Sequence, residues 1–165
     1  MKKFLLMNGP NLNMLGIREP GVYGTMTLSA IEEMLVAHAA ERDCELECFQ
    51  SNHEGALIDK LHAAHGACDG IVYNPGAHTH YSYAIRDAIA SIAVPVAEVH
   101  ISDVDAREPF RAISVVAPAC VAQVKGLGVE GYKVAFDGLL SGWATRLGEG
   151  FEAKAQGKII VGGEI

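Results

Sequence analysis

The sequence predicts a doubly wound α/β domain with a five-stranded parallel sheet and helices on both faces. Three observations carry this prediction. The chain has 165 residues, the size of a single domain. Half of its residues are apolar and 20% are charged, a composition typical of a folded protein with a full core. Short apolar runs alternate with segments of helical spacing, which indicates parallel strands joined by right-handed crossovers.

The first strand is predicted at residues 3–7, an apolar run that ends at a cluster of Gly, Pro and Asn. The first helix is predicted at residues 27–42, with either Thr27 or Ser29 as its N-cap and apolar side chains at helical spacing after it. The alternation continues with strands at 45–50, 70–73, 94–100 and 120–125 and helices at 55–65, 81–91 and 129–146. These segments complete five strand-and-helix units, the arrangement of a flavodoxin-like fold. We expect residues 1–146 to form this single domain.

The remaining residues, 147–165, are glycine-rich and weakly periodic. We interpret them as a tail of unknown role, mobile or packed outside the domain.

Polar residues follow four of the five predicted strands. In a doubly wound sheet ligands bind at the carboxyl ends of the strands, so these polar clusters are expected to converge on one site. The clusters lie at residues 8–11, 51–54, 74–80 and 100–103.

The connection between the first strand and the first helix is unusually long, because only about two to six residues are expected there. Residues 16–26 contain three glycines together with Arg18, Glu19 and Tyr23. This composition is typical of a lid over an active site.

Composition excludes several classes of function. The net charge of −7 predicts no general attraction to nucleic acid. No apolar stretch reaches the roughly 18 to 20 residues of a membrane-spanning helix. The apolar run after Lys3 is too short for a signal peptide, so we expect a cytoplasmic protein. The four cysteines form no C-x-x-C pair and are expected to be buried, reduced thiols.

Known cofactor and nucleophile motifs do not fit the chain. No G-x-G-x-x-G, P-loop or G-x-S-x-G pattern follows a predicted strand. His62 and His65, and likewise His78 and His80, have spacings found in metal sites, but no acid or cysteine completes a ligand set. We therefore expect neither a nucleotide cofactor nor a catalytic metal.

Acid–base catalysis is the kind of chemistry that these exclusions leave. Glu98 and His100 are two residues apart on a predicted strand, so they point to the same side and the carboxylate can orient the imidazole. The same pair also occurs as a purely structural contact. Tyr23 is a second candidate, but a tyrosine acts as a base only beside a cation, which Arg18, Arg107 or Arg111 would supply. Tyr23 alone also fits an aromatic anchor of its loop.

Four collinear segments closely resemble the type II 3-dehydroquinate dehydratases, over residues 3–140. The segments are residues 6–24 with Asn8-Gly9-Pro10-Asn11, Arg18-Glu19-Pro20 and Tyr23-Gly24; residues 49–55 with Ser51-Asn52-His53-Glu54-Gly55; residues 74–88 with Asn74-Pro75-Gly76-Ala77 and Arg86-Asp87-Ala88; and residues 95–111 with Glu98-Val99-His100-Ile101-Ser102 and Ala106-Arg107-Glu108-Pro109-Phe110-Arg111.

The resemblance implies a flavodoxin-like, cofactor-free hydro-lyase that converts 3-dehydroquinate to 3-dehydroshikimate in the shikimate pathway, through an enolate. It implies that Tyr23 is the base and that Arg18 is the essential lid residue. Asn11 would hold the water that stabilises the enolate. His100, oriented by Glu98, would protonate the departing hydroxyl.

The resemblance also implies the residues that bind substrate and an assembly. The substrate-binding positions are Asn74, His80, Arg111, Ile101 and Ser102. Asp87 matches a residue that reaches a neighbouring subunit's site, and members of the family form trimers that build a dodecamer.

The chain departs from the family pattern at four positions near the expected site. Asp103 and Asp105 stand where the family commonly has Asn and His, and Ala112 and Ile113 replace two histidines. The two acids add negative charge beside a site for an anionic substrate, which is expected to weaken binding. The altered positions around Arg111 support a second hypothesis, a non-catalytic relative that binds a ring acid or a protein partner. The third, a flavin or nucleotide binder, is supported by the fold alone.

Overall fold

The computed structural model describes residues 1–17, 21, 25–149, 154–156 and 158–162. Its centre is a sheet of five parallel strands: β1 (Lys2–Asn8), β2 (Cys44–Gln50), β3 (Gly70–Asn74), β4 (Val96–His100) and β5 (Ala122–Lys125). Four helices pack on it: α1 (Leu28–Ala40), α2 (Glu54–Ala64), α3 (Tyr83–Ala90) and α4 (Glu130–Ser141). The flavodoxin-like fold predicted from the sequence is confirmed.

Two differences separate the observed architecture from the predicted one. The sheet has seven strands, because β6 (Lys154–Gln156) and β7 (Ile159–Val161) continue it in the order β2-β1-β3-β4-β5-β7-β6. Both added strands run antiparallel to their neighbours. In addition, the fourth unit has three short 3₁₀ turns between β4 and β5 in place of an α-helix.

Helices lie on both faces of the sheet because side chains alternate along each strand. On β1, Phe4 and Leu6 belong to the core under α1 and α4, whereas Leu5 and Met7 belong to the core under α2 and α3. The helices that cover these cores begin and end at local capping residues.

The helix ends settle one boundary that the sequence left open and correct another. Thr27, not Ser29, caps α1 by accepting a hydrogen bond from the N–H of Ala30 at 3.2 Å. Helix α4 ends at Ser141, earlier than predicted, because Gly142 adopts a left-handed conformation with φ of 115°.

The four cysteines are free. Cys44 and Cys120 are buried, while Cys48 and Cys68 are half-buried. Burial raises the pKa of the Cys48 thiol to about 11, so this thiol stays protonated at neutral pH. Within the described part of the chain, no helix is long and apolar enough to cross a membrane.

Candidate active site

A cleft of about 660 Å³, including space open to solvent, lies at the carboxyl ends of β1, β3 and β4. It sits beside the boundary between β1 and β3, where the strand order reverses and a doubly wound fold leaves room for a ligand. Three of the four polar clusters predicted from the sequence line it. The lining residues are Pro10, Asn11, Leu12, Leu15, Asn74, Gly76, Ala77, His80, His100, Ile101, Ser102, Val104, Arg107 and Arg111.

Glu98 and His100 form a hydrogen-bonded pair at the end of β4. Nε2 of His100 donates to Oε1 of Glu98 at 2.6 Å, and Glu98 is fully buried. The contact expected from their spacing is present. Because Nε2 is engaged by the carboxylate, Nδ1 is the ring nitrogen of His100 that remains for a ligand in the cleft.

Three further side chains hold the Glu98 carboxylate. Thr79 donates to Oε1, Ser114 lies 3.0 Å from Oε1 and 3.1 Å from Oε2, and Gln123 donates to Oε2 at 3.4 Å. Burial on its own raises the pKa of Glu98, but the interaction with His100 and the hydrogen bonds from His100, Thr79 and Ser114 outweigh it and hold the pKa below its ordinary value. The buried carboxylate is therefore ionised at neutral pH.

No role was predicted from the sequence for Thr79, Ser114 or Gln123. One signal was available for Gln123: Glu98 and Gln123 are polar residues inside two adjacent strands, and the parallel register pairs them directly. Thr79 belongs to the predicted polar cluster at residues 74–80, but nothing in the sequence directs it or Ser114 to Glu98.

A second buried polar network lies beneath the cleft. The hydroxyl of Tyr132 donates to Oδ1 of Asn8 at 2.7 Å and accepts from Nδ2 of Asn74 at 3.0 Å. Oδ1 of Asn74 accepts from the N–H of Gly76 at 3.1 Å. The nitrogen of the Asn74 amide is thus held by α4, and its oxygen is held by its own loop. Tyr132 was not predicted from the sequence as a site residue.

His80 and Arg111 line the outer part of the cleft. Nδ1 of His80 donates to the carbonyl of Ile113 at 2.8 Å, so Nε2 is the nitrogen left for a ligand. Burial lowers the pKa of His80, although the Ile113 carbonyl opposes the shift. Arg111 donates from Nε to Glu108 at 2.6 Å and lies 4.7 Å from the Phe110 ring centre. A guanidinium held this way presents its remaining N–H groups for an anion.

Asn11 and the segment after β4 complete the cleft. Asn11 has a left-handed backbone with φ of 67°, and its N–H donates to Oδ1 of Asn52 at 2.9 Å. The cluster after β2 thus braces Asn11 and contributes no lining residue. The carbonyls of Ile101 and Ser102 accept from the N–H groups of Gly128 and Gly126 at 3.1 Å and 3.0 Å.

Three predicted site residues are not among those that the structure brings together. Arg18 and Tyr23 lie outside the described residues. Asp87 is described, but it is exposed on α3 and does not line the cleft of its own chain. The two ends of the long loop meet, since a Cβ on Gly16 would lie 3.0 Å from the carbonyl oxygen of Thr25.

The described residues include no group of three His, Cys, Asp or Glu side chains that could hold a metal ion. His65 accepts from the N–H of Ala93 through Nδ1 at 3.3 Å, and His78 packs edge-on against Tyr81. One histidine of each pair singled out by spacing, His65 and His78, thus makes a local contact.

Each of the two unexpected acids after β4 lies near a lysine. Asp105 pairs with Lys125 of β5, and Oδ2 of Asp103 lies 3.9 Å from Nζ of Lys158. The negative charge that was expected to disfavour an anionic ligand is thus partly offset by local cations.

Fold and site together define a flavodoxin-like α/β protein with a buried acid–base pair at the carboxyl edge of its sheet. The family model described as dehydroquinase class II matches residues 2–140. The chain belongs to this family.

Relatives and solved structures agree with this assignment. A 3-dehydroquinate dehydratase of Anoxybacillus flavithermus is 60% identical over 140 residues, which is 85% of this chain and 95% of that protein. The Bacillus cytotoxicus enzyme of the same name is 58% identical over 149 residues, 90% of this chain and 99% of its own. The crystal structure of a type II dehydroquinase from Butyrivibrio crossotus superposes with a TM-score of 0.83 at 52% identity, covering 84% of this chain and 97% of that one.

Proposed function

We propose that this protein is a type II 3-dehydroquinate dehydratase, a hydro-lyase that removes water from 3-dehydroquinate to give 3-dehydroshikimate in the shikimate pathway. The observation that carries the proposal is the buried Glu98–His100 pair at a cleft, in a chain 60% identical to a protein of that activity. A proton donor held in this way supports elimination of a hydroxyl group without a cofactor.

The proposed reaction has two steps. Tyr23, made anionic by a neighbouring arginine, takes a proton from the carbon beside the ketone, and the electron pair becomes an enolate. A water held by Asn11 stabilises the enolate oxygen. The enolate then collapses, the C–O bond breaks, and His100 gives its proton to the leaving hydroxyl, so that water and a conjugated enone are formed. The roles of Tyr23, Arg18 and Asn11 rest on the family resemblance.

The same proposal assigns substrate contacts along the cleft. Asn74, whose amide is fixed by Tyr132 and Gly76, would bind a ring hydroxyl, and Nε2 of His80 would do the same. Arg111 with the segment at Ile101 and Ser102 would bind the carboxylate, since a guanidinium and polar donors suit two oxygens.

The decisive experiment is to add 3-dehydroquinate to the purified protein and to follow the enone by its ultraviolet absorbance. We expect turnover by the wild type. A protein that binds the ring acid and forms no enone would instead be a non-catalytic relative, which the departures at Ala112 and Ile113 favour.

Variants then test the roles. Tyr23→Phe and His100→Asn should each lower kcat by about 10²- to 10⁴-fold, the usual contribution of a general base or acid. His100→Asn should still exchange the acidic hydrogen of the substrate with deuterium, because enolate formation does not need His100. The matched controls are Tyr73→Phe, which removes a buried hydroxyl with no hydrogen-bond partner among the described residues, and His62→Asn, which changes an exposed side chain on α2. Equal losses in a variant and its control would remove that residue from the mechanism.

We also propose a cytoplasmic enzyme that works as a homo-oligomer, a dodecamer built from trimers. Four free thiols suit a reducing compartment. Tyr81, Tyr83 and Phe110 are 61%, 62% and 56% exposed around the α3 end of the molecule, and exposed aromatic groups of this kind occur where another protein surface covers them. Asp87 on the same helix would then serve the site of a neighbouring subunit.

A further inference from the structure

Residues 154–156 and 158–162, here called the C-terminal segment, lie beyond the part of the chain that the family model matches. The family model ends at residue 140, and the A. flavithermus relative is matched over 95% of its own length by 85% of this chain. Nevertheless β7 pairs with β5 of the central sheet, and the N–H of Gly162 donates to the carbonyl of Val121 at 2.9 Å. The segment is therefore joined to the conserved domain by main-chain hydrogen bonds.

We propose that this C-terminal segment is part of the substrate-binding machinery, and that Lys158 is a positioning residue for the loop that carries Ile101 and Ser102. The proposal rests on the proposed function, since those two residues are the predicted ligands of the substrate carboxylate. Three observations support it: the contacts of Lys158, the position of Gly126, and the charges after β4.

Lys158 contacts the end of β5 in two ways. Its carbonyl accepts from the N–H of Lys125 at 3.1 Å, and its Nζ donates to the carbonyl of Gly126 at 3.0 Å. The main chain and the side chain of one residue thus hold the turn that follows β5.

Gly126 transmits this contact to the active-site loop. Its N–H donates to the carbonyl of Ser102 at 3.0 Å and lies 3.3 Å from that of His100. A Cβ at Gly126 would lie 3.0 Å from Cβ of Asp103 and 3.1 Å from Cδ of Lys158, so the three residues are in direct contact. A shift of Lys158 therefore reaches Ser102 through a single intervening residue.

Charge gives the arrangement a second effect on binding. Asp103 is one of the acids that depart from the family pattern, and Nζ of Lys158 lies 3.9 Å from its carboxylate. An unpaired carboxylate next to Ser102 would repel the carboxylate of the substrate. Lys158 offsets that charge, so an acid inside the shared domain and a lysine outside it act as one unit.

The test is a double-mutant cycle with Lys158→Met and Asp103→Asn, measured by steady-state turnover of 3-dehydroquinate. Lys158→Met should raise KM by up to about fivefold, the worth of an exposed ion pair, with kcat within about twofold of the wild type. Adding Asp103→Asn should return KM toward the wild-type value, because the uncompensated charge is then gone. Lys133→Met, which removes an exposed ion pair on α4, is the control and should leave KM unchanged.

An unchanged KM in Lys158→Met overturns the proposal. If KM is raised and Asp103→Asn does not lower it again, Lys158 does not act by offsetting the charge of Asp103. The loss of a merely structural lysine would not be rescued by that change. Hydrogen–deuterium exchange at residues 101–107 gives a readout without turnover: faster exchange in Lys158→Met than in Lys133→Met supports positioning, and equal exchange contradicts it. Absence of turnover in the wild type would count against the proposed function alone, because the exchange result does not depend on it.

Discussion

A fully buried carboxylate defines the site at the scale of residues. Removing Glu98 from water carries a penalty of several kcal/mol, which is offset only when the charge is paired and its oxygens are hydrogen-bonded. His100, Thr79, Ser114 and Gln123 provide that pairing together. The arrangement orients the imidazole at one edge of the cleft and keeps its partner ionised.

Glu98→Gln should lower the free energy of unfolding by about 3 kcal/mol at pH 7, because His100, Thr79 and Ser114 then lose the buried charged group that accepts their hydrogen bonds. The lowered pKa of Glu98 fixes the pH dependence. Its stabilisation is present above the ordinary carboxyl pKa of about 4.3 and is lost as the pH falls through the lower pKa of the folded state. Urea denaturation from pH 7 to pH 3 should therefore show the two proteins converging in acid.

Glu130→Gln is the control for that experiment. This carboxylate is exposed and pairs with Lys133 at 3.4 Å, so its loss should change stability by less than about 1 kcal/mol at any pH. A Glu98→Gln protein as stable as this control would show that the buried pair is not held as described.

Tyr132→Phe removes one hydroxyl and leaves two buried amide groups, on Asn8 and Asn74, without that partner. We expect the variant to fold, to lose about 1 to 3 kcal/mol of stability, and to bind substrate several-fold more weakly through Asn74. Thermal unfolding and KM measure the two effects. Tyr73→Phe, which removes a buried hydroxyl with no hydrogen-bond partner among the described residues, is the matched control. If the KM of Tyr132→Phe equals that of this control, Tyr132 does not support substrate binding through Asn74.

These residues also show what the sequence predicts at this scale. Spacing on one strand was enough to pair Glu98 with His100, because residues two apart point the same way. Tyr132 is 124 positions from Asn8, and no local pattern connects them. Contacts of that separation are set by how α4 crosses the sheet, which is a property of tertiary packing.

At the scale of elements, helices end where the backbone leaves the right-handed region. Gly142 ends α4 with φ of 115°, and its N–H donates to the carbonyl of Gly138 at 3.1 Å. Gly55, in contrast, lies near the start of α2, and a Cβ there would meet nothing within 4 Å. The same substitution should therefore have opposite effects at these two positions.

Gly142→Ala should lower the free energy of unfolding by about 1 to 2 kcal/mol, since a side chain disfavours the left-handed conformation. Gly55→Ala should raise it by about 0.4 to 1 kcal/mol, because alanine restricts the unfolded chain without strain in the folded one. Denaturant unfolding of both variants compares them directly. Stabilisation by alanine at Gly142 would contradict the left-handed helix end.

Most elements were predictable because their hydrophobic period is strong. The strands of the sheet centre read as short apolar runs, and α1 shows apolar residues at helical spacing after its cap. The pair β6 and β7 was not predictable, because strands of three residues among glycines have no measurable period. Strand β7 forms by pairing with the edge of β5, and β6 forms by pairing with β7.

At the scale of the whole molecule, the site lies at the carboxyl edge of the sheet between the two cores, and the outer face of α3 is exposed near it. Asp87 lies on that helix, outside the cleft of its own chain. The proposed assembly therefore makes a prediction about mass: twelve chains of 17.5 kDa give a particle of about 210 kDa, which light scattering measures. A monomer with full activity would rule out a shared site.

Complementation between two inactive variants tests whether Asp87 acts across subunits. Asp87→Ala should lower kcat/KM by about tenfold or more, the worth of a charge-assisted hydrogen bond, and His100→Asn should also be weakly active. In a mixed assembly, a subunit with intact His100 can receive Asp87 from a neighbour of the other kind, so turnover should exceed that of either parent. If both residues served one chain, every site in the mixture would lack one of them. The two assemblies are dissociated and then reassembled together. If turnover does not rise, Asp87 acts in the site of its own subunit or takes no part in the reaction.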